Sequence, residues 1–129
     1  MVAFLSQDWL EAQVSATSKL PAAPDASALV QHVVNGAPEG NVTYFTQFDQ
    51  GRIVEAGVGK PSAEPDLTIT LAYPDAVRLA TGELDLSAAY MQGTIKVEGD
   101  MARLFALLPA THRPEYKAAI TQVADKTEL

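Results

Sequence analysis

Apolar residues recur along this chain with two different periods. Between Leu5 and Leu20 they fall at steps of three and four, at Leu5, Trp9, Ala12, Ala16 and Leu20, which is the period of a helix with one buried face. Ser6 is placed to cap that helix, and Asp8 lies in its first turn, where a negative charge meets the helix dipole. Two prolines between Leu20 and Ser27 end the helix and mark a connector. From Ala28 the period shortens to two, and β-branched and aromatic runs separated by turn residues predict an antiparallel meander. Its strands are Leu29–Val34, Val42–Phe48 and Arg52–Val58, joined by a turn over Asn35–Asn41 and a tight loop at Asp49, Gln50 and Gly51. Val42, Tyr44, Thr46 and Phe48 share one face of the second strand. On the third strand Ile53, Glu55 and Gly57 share one face, and Val54, Ala56 and Val58 share the other.

Beyond the loop Gly59–Pro65, Leu67, Ile69 and Leu71 alternate with Thr68 and Thr70 as a fourth strand. Pro74 and Gly82 stand at the positions expected just inside the start and just past the end of a helix over Pro74–Thr81. Asp85 caps a short helix, Leu86–Met91. Gly93 marks a turn, and Thr94–Glu98 forms a fifth strand. Asp100 then caps a helix carrying Met101, Leu104, Phe105 and Leu108, which Pro109 is expected to end. A last helix from Pro114 buries Tyr116, Ala119, Ile120 and Val123. The sum is an α+β fold: a five-stranded, mostly antiparallel sheet with helices covering one face. At 129 residues the chain supports one hydrophobic core, so a single domain over residues 1–129 is expected.

Composition narrows the function classes. Nine Lys and Arg against sixteen Asp and Glu give a formal net charge of −7, which repels phosphate backbones and anionic headgroups. No run of Lys or Arg opposes that average, so neither nucleic-acid binding nor stable membrane insertion is expected. Cysteine is absent, which removes disulfides, thiolate metal sites and cysteine nucleophiles together and favours a reducing compartment. Met1–Leu10 has no basic residue, and its apolar stretch Val2–Leu5 is too short for a signal-peptide core, so a cytoplasmic location is the expectation.

Catalytic and metal motifs are equally sparse. His32 and His112 lie far apart in sequence and have no third ligand in step with them, so no metal site is expected. Gly57-Val-Gly59-Lys60-Pro61-Ser62 has the look of a glycine-rich nucleotide loop, but serine replaces the final glycine and a strand follows where a helix should open. No Gly-x-Ser-x-Gly elbow is present. Asp66, Asp75, Asp85 and Asp100 sit at strand edges or helix caps, where backbone hydrogen bonds account for them. Glu55 is the one candidate general base, through its place beside Ile53 and Gly57, and a solvent-facing role accounts for it more simply. No catalytic residue and no cofactor is assigned.

The run Asp66-Leu-Thr-Ile-Thr-Leu71, then Val77 to Gly82, Leu84-Asp85-Leu86, and Ala89-Tyr90-Met91-Gln92-Gly93-Thr94-Ile95-Lys96-Val97-Glu98-Gly99-Asp100 resembles the core of the sterol carrier protein type 2 family. The Met-x-Gly turn followed by Gly-Asp carries most of that resemblance. It departs from the family at Tyr73-Pro74, where a small polar cap is usual, and at the ending Lys126-Thr127-Glu128-Leu129, which is not a peroxisomal signal. The resemblance implies an apolar tunnel between sheet and helices, binding a sterol, fatty acid or fatty acyl thioester without catalysis. Val77, Leu84, Leu86, Tyr90, Met91, Ile95, Leu104 and Leu108 lie in the segments over the sheet and are the expected ligand-binding residues. Met91 has the flexibility to follow different ligand shapes. The alternatives are an accessory domain that keeps the fold with a filled core and binds a protein, or a small enzyme acting on an apolar substrate.

Overall fold

In the computed structural model, which describes residues 1–129, the caps read from the sequence set most helix boundaries. Helix α1 (Gln7–Thr17) starts where Ser6 Oγ accepts a hydrogen bond from the Trp9 N–H at 3.2 Å. Helix α2 (Tyr73–Thr81) has proline in its first turn and leaves through Gly82 at φ +83°, the left-handed conformation that glycine adopts without penalty. Helix α3 (Leu86–Met91) starts at Asp85, whose carboxylate accepts from the Ala88 N–H. Helix α4 (Met101–His112) starts at Asp100, which accepts from both Ala102 and Arg103. Helix α5 (Pro114–Asp125) closes the helical layer.

One expected boundary is wrong. Pro109 does not end α4 but lies inside it. A proline in a helix interior removes the hydrogen bond to the carbonyl four residues earlier. That carbonyl belongs to Phe105, which is 55% exposed, so the group left without a donor lies on the outer side of the helix and the helix continues.

The sheet contains β2 (Ala28–Ala37), β3 (Gly40–Asp49), β4 (Arg52–Val58), β5 (Leu67–Ala72) and β6 (Lys96–Gly99), in the spatial order β4-β3-β2-β5-β6. Three of its neighbouring pairs are antiparallel, and the central pair β2·β5 is parallel. The loop expected over Asn35–Asn41 shrinks to Pro38-Glu39, because β2 and β3 run on past a register irregularity between Val34 and Ala37. The second hairpin turns through Gln50 and Gly51, at φ +53° and +83°, which matches the right-handed strand twist. A pair of two-residue strands, β1 (Val2–Ala3) and β7 (Thr127–Glu128), joins the two chain ends in parallel and was not expected from the sequence.

The facing of β4 also differs from the expected alternation. A bulge shifts the register so that Phe48 pairs with Ile53 while Gln47 pairs with Glu55. Ile53 and Ala56 therefore face the helices, and Glu55 is carried to the outer face with Gln47.

Helix α1 lies along the free edge of β4 and satisfies it with side chains. Gln7 accepts from the Val58 N–H and donates to the Ala56 carbonyl, both at 3.1 Å. Thr17, fully buried, accepts from the Ile53 N–H at 3.0 Å and donates to the Gln13 carbonyl at 2.9 Å. This is why the buried face of α1 is Trp9, Leu10, Gln13 and Thr17 rather than the purely apolar stripe through Ala12 and Ala16. An edge strand left open would recruit another chain, and polar helix side chains close it. Thr17→Val keeps the volume but leaves the Ile53 N–H buried without a partner, so it should destabilise the fold by about 1–3 kcal/mol. Urea unfolding of the two proteins measures that difference.

Candidate functional site

A cavity of about 250 Å³ lies between the inner face of the sheet and the helices. Its floor is built by strand alternation: Val30 and His32 of β2, Tyr44 and Phe48 of β3, and Ile69 and Leu71 of β5 all point to the helical side. Its roof is α4 and α5, with Leu104, Leu107 and Thr111 from the first and Tyr116, Ile120 and Val123 from the second. On one flank α2 presents Ala76, Leu79 and Ala80, and on another α1 presents Trp9 and, one turn later, Gln13. Sixteen of the twenty-four lining residues are hydrophobic, so an apolar occupant is favoured over water.

The mouth is polar. Thr81, Gly82, Asp85, Lys117 and Thr121 form part of the wall where α2 and α3 approach α5. Asp85 is both the cap of α3 and an ion-pair hub, 3.1 Å from His112 Nδ1 and 3.5 Å from Lys117 Nζ. Burial alone would raise its pKa. Hydrogen bonds from His112 and the Ala88 N–H, with the Lys117 charge, outweigh burial and hold the carboxyl below its ordinary value. Asp85 thus ties the starts or ends of three helices together at the opening.

The polar groups deeper in the cavity carry no charge. His32 stacks on Tyr44 with ring centroids 4.3 Å apart, and its Nε2 shares a hydrogen bond of 2.9 Å with Thr46 Oγ1. The ring lines the cavity, and desolvation lowers its pKa from 6.5 to about 3. Tyr116 is partly buried, and desolvation pushes its phenol well above the usual range. For Tyr44 burial does the same, with a smaller contribution from Tyr116. Gln13 is 8% exposed, and its Nε2 has no hydrogen-bond partner.

The expected binding residues divide. Leu84, Leu86 and Leu104 are in the cavity wall. Val77, Tyr90, Met91, Ile95 and Leu108 are not. Ile95 is buried in the core away from the cavity, and Tyr90 packs edge-on against Phe105, so it joins α3 to α4. Met91 is 83% exposed, because α3 is only six residues long and buries Ala89 instead. The apolar content of the covering segments does not separate helix–helix contacts from cavity walls. Trp9, Gln13, His32, Tyr44 and Tyr116 were missed as lining residues. The signal for His32 was available, since it alternates with Val30 and Val34 and so must face the core side. Glu55, the candidate base, lies on the outer face and is exposed. The two histidines are on different elements, and no group of three His, Asp or Glu side chains comes together.

A chain in which unfolded His32 titrates near 6.5 and folded His32 near 3 binds a proton preferentially when unfolded between those values. The stability that neutral His32 contributes is therefore complete above pH 6.5 and declines as pH falls. Between pH 7.5 and 5 the unfolding free energy should fall with a slope approaching 1.4 kcal/mol per pH unit, a rough ceiling for one proton. His32→Gln should remove most of that slope in a pH series of denaturant titrations.

Comparison with known proteins places this geometry among relatives. The sequence model of the SCP-2 sterol transfer family matches residues 8–108. A hydroxysteroid dehydrogenase-like protein 2 from Xenopus tropicalis is 30% identical over 73 residues, covering 57% of this chain and 17% of that protein. Stomatin-like protein 1 from Mus musculus is 40% identical over 58 residues, covering 45% of this chain and 14% of its own. The chain thus spans less than a fifth of the length of these curated relatives. Among solved structures, a crystal structure of sterol carrier protein 2 superposes with a TM-score of 0.73 at 18% identity, covering 92% of this chain and 98% of that one. The solution structure of palmitated SCP2L2 from Aedes aegypti gives a TM-score of 0.63 at 19% identity, covering 84% and 96%. At those identities the structural likeness establishes the fold.

Proposed function

This chain belongs to the SCP-2 sterol transfer family, a lipid-binding fold, and from that premise we propose that it holds one apolar molecule between sheet and helices and releases it unchanged. The observation that carries this reading is the cavity itself, apolar in most of its wall and open at one polar mouth. At roughly 30 Å³ per water-sized group, 250 Å³ accommodates about eight such groups. Eight methylenes at about 0.8 kcal/mol each contribute on the order of 6 kcal/mol, before the lost freedom of the ligand is counted. Taken as an upper limit, that corresponds to a dissociation constant no tighter than roughly tens of micromolar, a strength suited to carriage rather than permanent capture. The palmitated state of the Aedes aegypti relative supports a single aliphatic chain as the class of occupant.

No helix is long and apolar enough to cross a membrane. The enzymatic alternative through Glu55 has no geometric support, since that carboxylate faces away from the cavity. The interaction-domain alternative would use Met91 and Phe105, the large apolar side chains left most exposed on α3 and α4.

A bulky side chain inside the wall separates these readings. Ala80→Trp, on the flank formed by α2, fills much of the available volume and should weaken saturable binding of N-phenyl-1-naphthylamine at least tenfold, with circular dichroism unchanged. Fluorescence titration of wild type and variant reads the effect. Equal affinity in the two proteins, or no saturable binding by the wild type, would sink the carrier reading and favour a filled core with an external contact surface.

A further inference from the structure

Gln13 is the one residue whose buried side-chain polar atom has no partner anywhere in the chain. Native proteins leave such groups unpaired rarely, and each calls for a partner that the chain alone does not supply. Gln13 is a residue of the cavity wall, 8% exposed, on the same face of α1 as Trp9 one turn earlier. Trp9 packs edge-on against Tyr44 at 5.6 Å, and Tyr44 stacks on His32, so these neutral polar groups adjoin one another along a single stretch of wall.

Charge is distributed in the opposite way. The only formally charged side chains in the wall are Asp85 and Lys117, both at the mouth and already paired with each other. An ionised carboxylate entering head first would lose its water and meet no cation among the interior groups. A ketone, ester or hydroxyl oxygen needs only one donor, and an amide N–H is a sufficient one.

We propose that Gln13 is the donor of an interior headgroup subsite, and that the cavity selects amphiphiles bearing an uncharged hydrogen-bond acceptor, inserted head first, over ionised fatty acids. This rests on the carrier reading and adds to it both an orientation and a chemical preference. The geometry that carries it is an unpartnered, buried carboxamide in the wall of an apolar cavity whose charges are confined to the opening.

The test uses decane, 2-decanone and decanoate at pH 7.5 as competitors for bound N-phenyl-1-naphthylamine, with wild type and Gln13→Leu. The expected result is that the substitution weakens 2-decanone about tenfold and leaves decane and decanoate within twofold. In the wild type, the side-chain amide resonances of Gln13 should shift on adding 2-decanone and stay in place on adding decane. If decane fails to displace the probe or no probe binds, the carrier reading falls and the subsite with it. If decane binds both proteins and 2-decanone is indifferent to the substitution, with unmoved amide resonances, the subsite alone is overturned. A loss of decanoate equal to that of the ketone would overturn the preference for an uncharged head. Should Gln13→Leu fail to fold, Gln13→Met, which is closer in shape, takes its place, and the wild-type amide resonances decide independently of either variant.

Discussion

Asp66 ties three segments of this fold at one corner of the sheet. Its backbone N–H donates to the Leu29 carbonyl at 2.8 Å, and its carboxylate accepts from the Leu29 N–H at 2.8 Å, which fixes the start of β5 against β2. Its own carbonyl accepts from the Asp100 N–H at 2.9 Å, and Arg103 approaches its carboxylate from the first turn of α4. Neither the parallel pairing of β5 with β2 nor the antiparallel pairing of β6 with β5 is closed by a hairpin, so their registers must be set by contacts of this kind. The same contacts hold the start of α4, and with it Leu104 and Leu107, over the sheet face. The cavity roof is thereby positioned by a polar corner together with the apolar packing of Leu104, Leu107 and Ala110.

That corner also explains the Gly99-Asp100 pair in the sequence. Gly99 adopts φ +122° and pairs with Leu67 at the end of β6, where a Cβ would collide with the Asp66 carbonyl oxygen. Any other residue would be both strained and obstructed. Asp100 then converts the end of a strand into the start of a helix within one residue, capping α4 with its carboxylate while its N–H remains bonded to Asp66. The motif therefore reports a backbone constraint of the fold and carries no information about the ligand.

Features with this kind of local cause were legible in the sequence. The caps Ser6, Asp85 and Asp100, the glycine after α2, the alternation of β5 and the inward row of β3 all follow from short-range rules, and each appears where those rules put it. What was not legible depends on partners distant in sequence. The bulge that puts Ile53 and Glu55 on opposite faces is a property of the pairing of β4 with β3, and the polar buried face of α1 exists because β4 offers it an open edge. The cavity wall is harder still. Small side chains such as Ala76 and Ala80 create space by what they omit, and no periodicity distinguishes an alanine beside a cavity from one in a closed contact.

The register of the sheet shows how polarity is arranged under the cavity. One cross-strand row runs Leu67, Val30, Thr46 and Ala56, and another runs Leu71, Val34 and Val42. Between them lies the row Ile69, His32 and Tyr44, the only one of the three with two large polar side chains. Thr46 reaches from the neighbouring row to bond His32, so the hydrogen-bonding capacity on the floor is concentrated at one place along the strands. A closed core would gain nothing from that concentration, since each buried polar group must be satisfied at a cost in apolar contact. In the proposed carrier, His32 and Tyr44, with Val30 on one side and Leu71 on the other, make a floor that suits a molecule with one polar atom on an otherwise apolar frame.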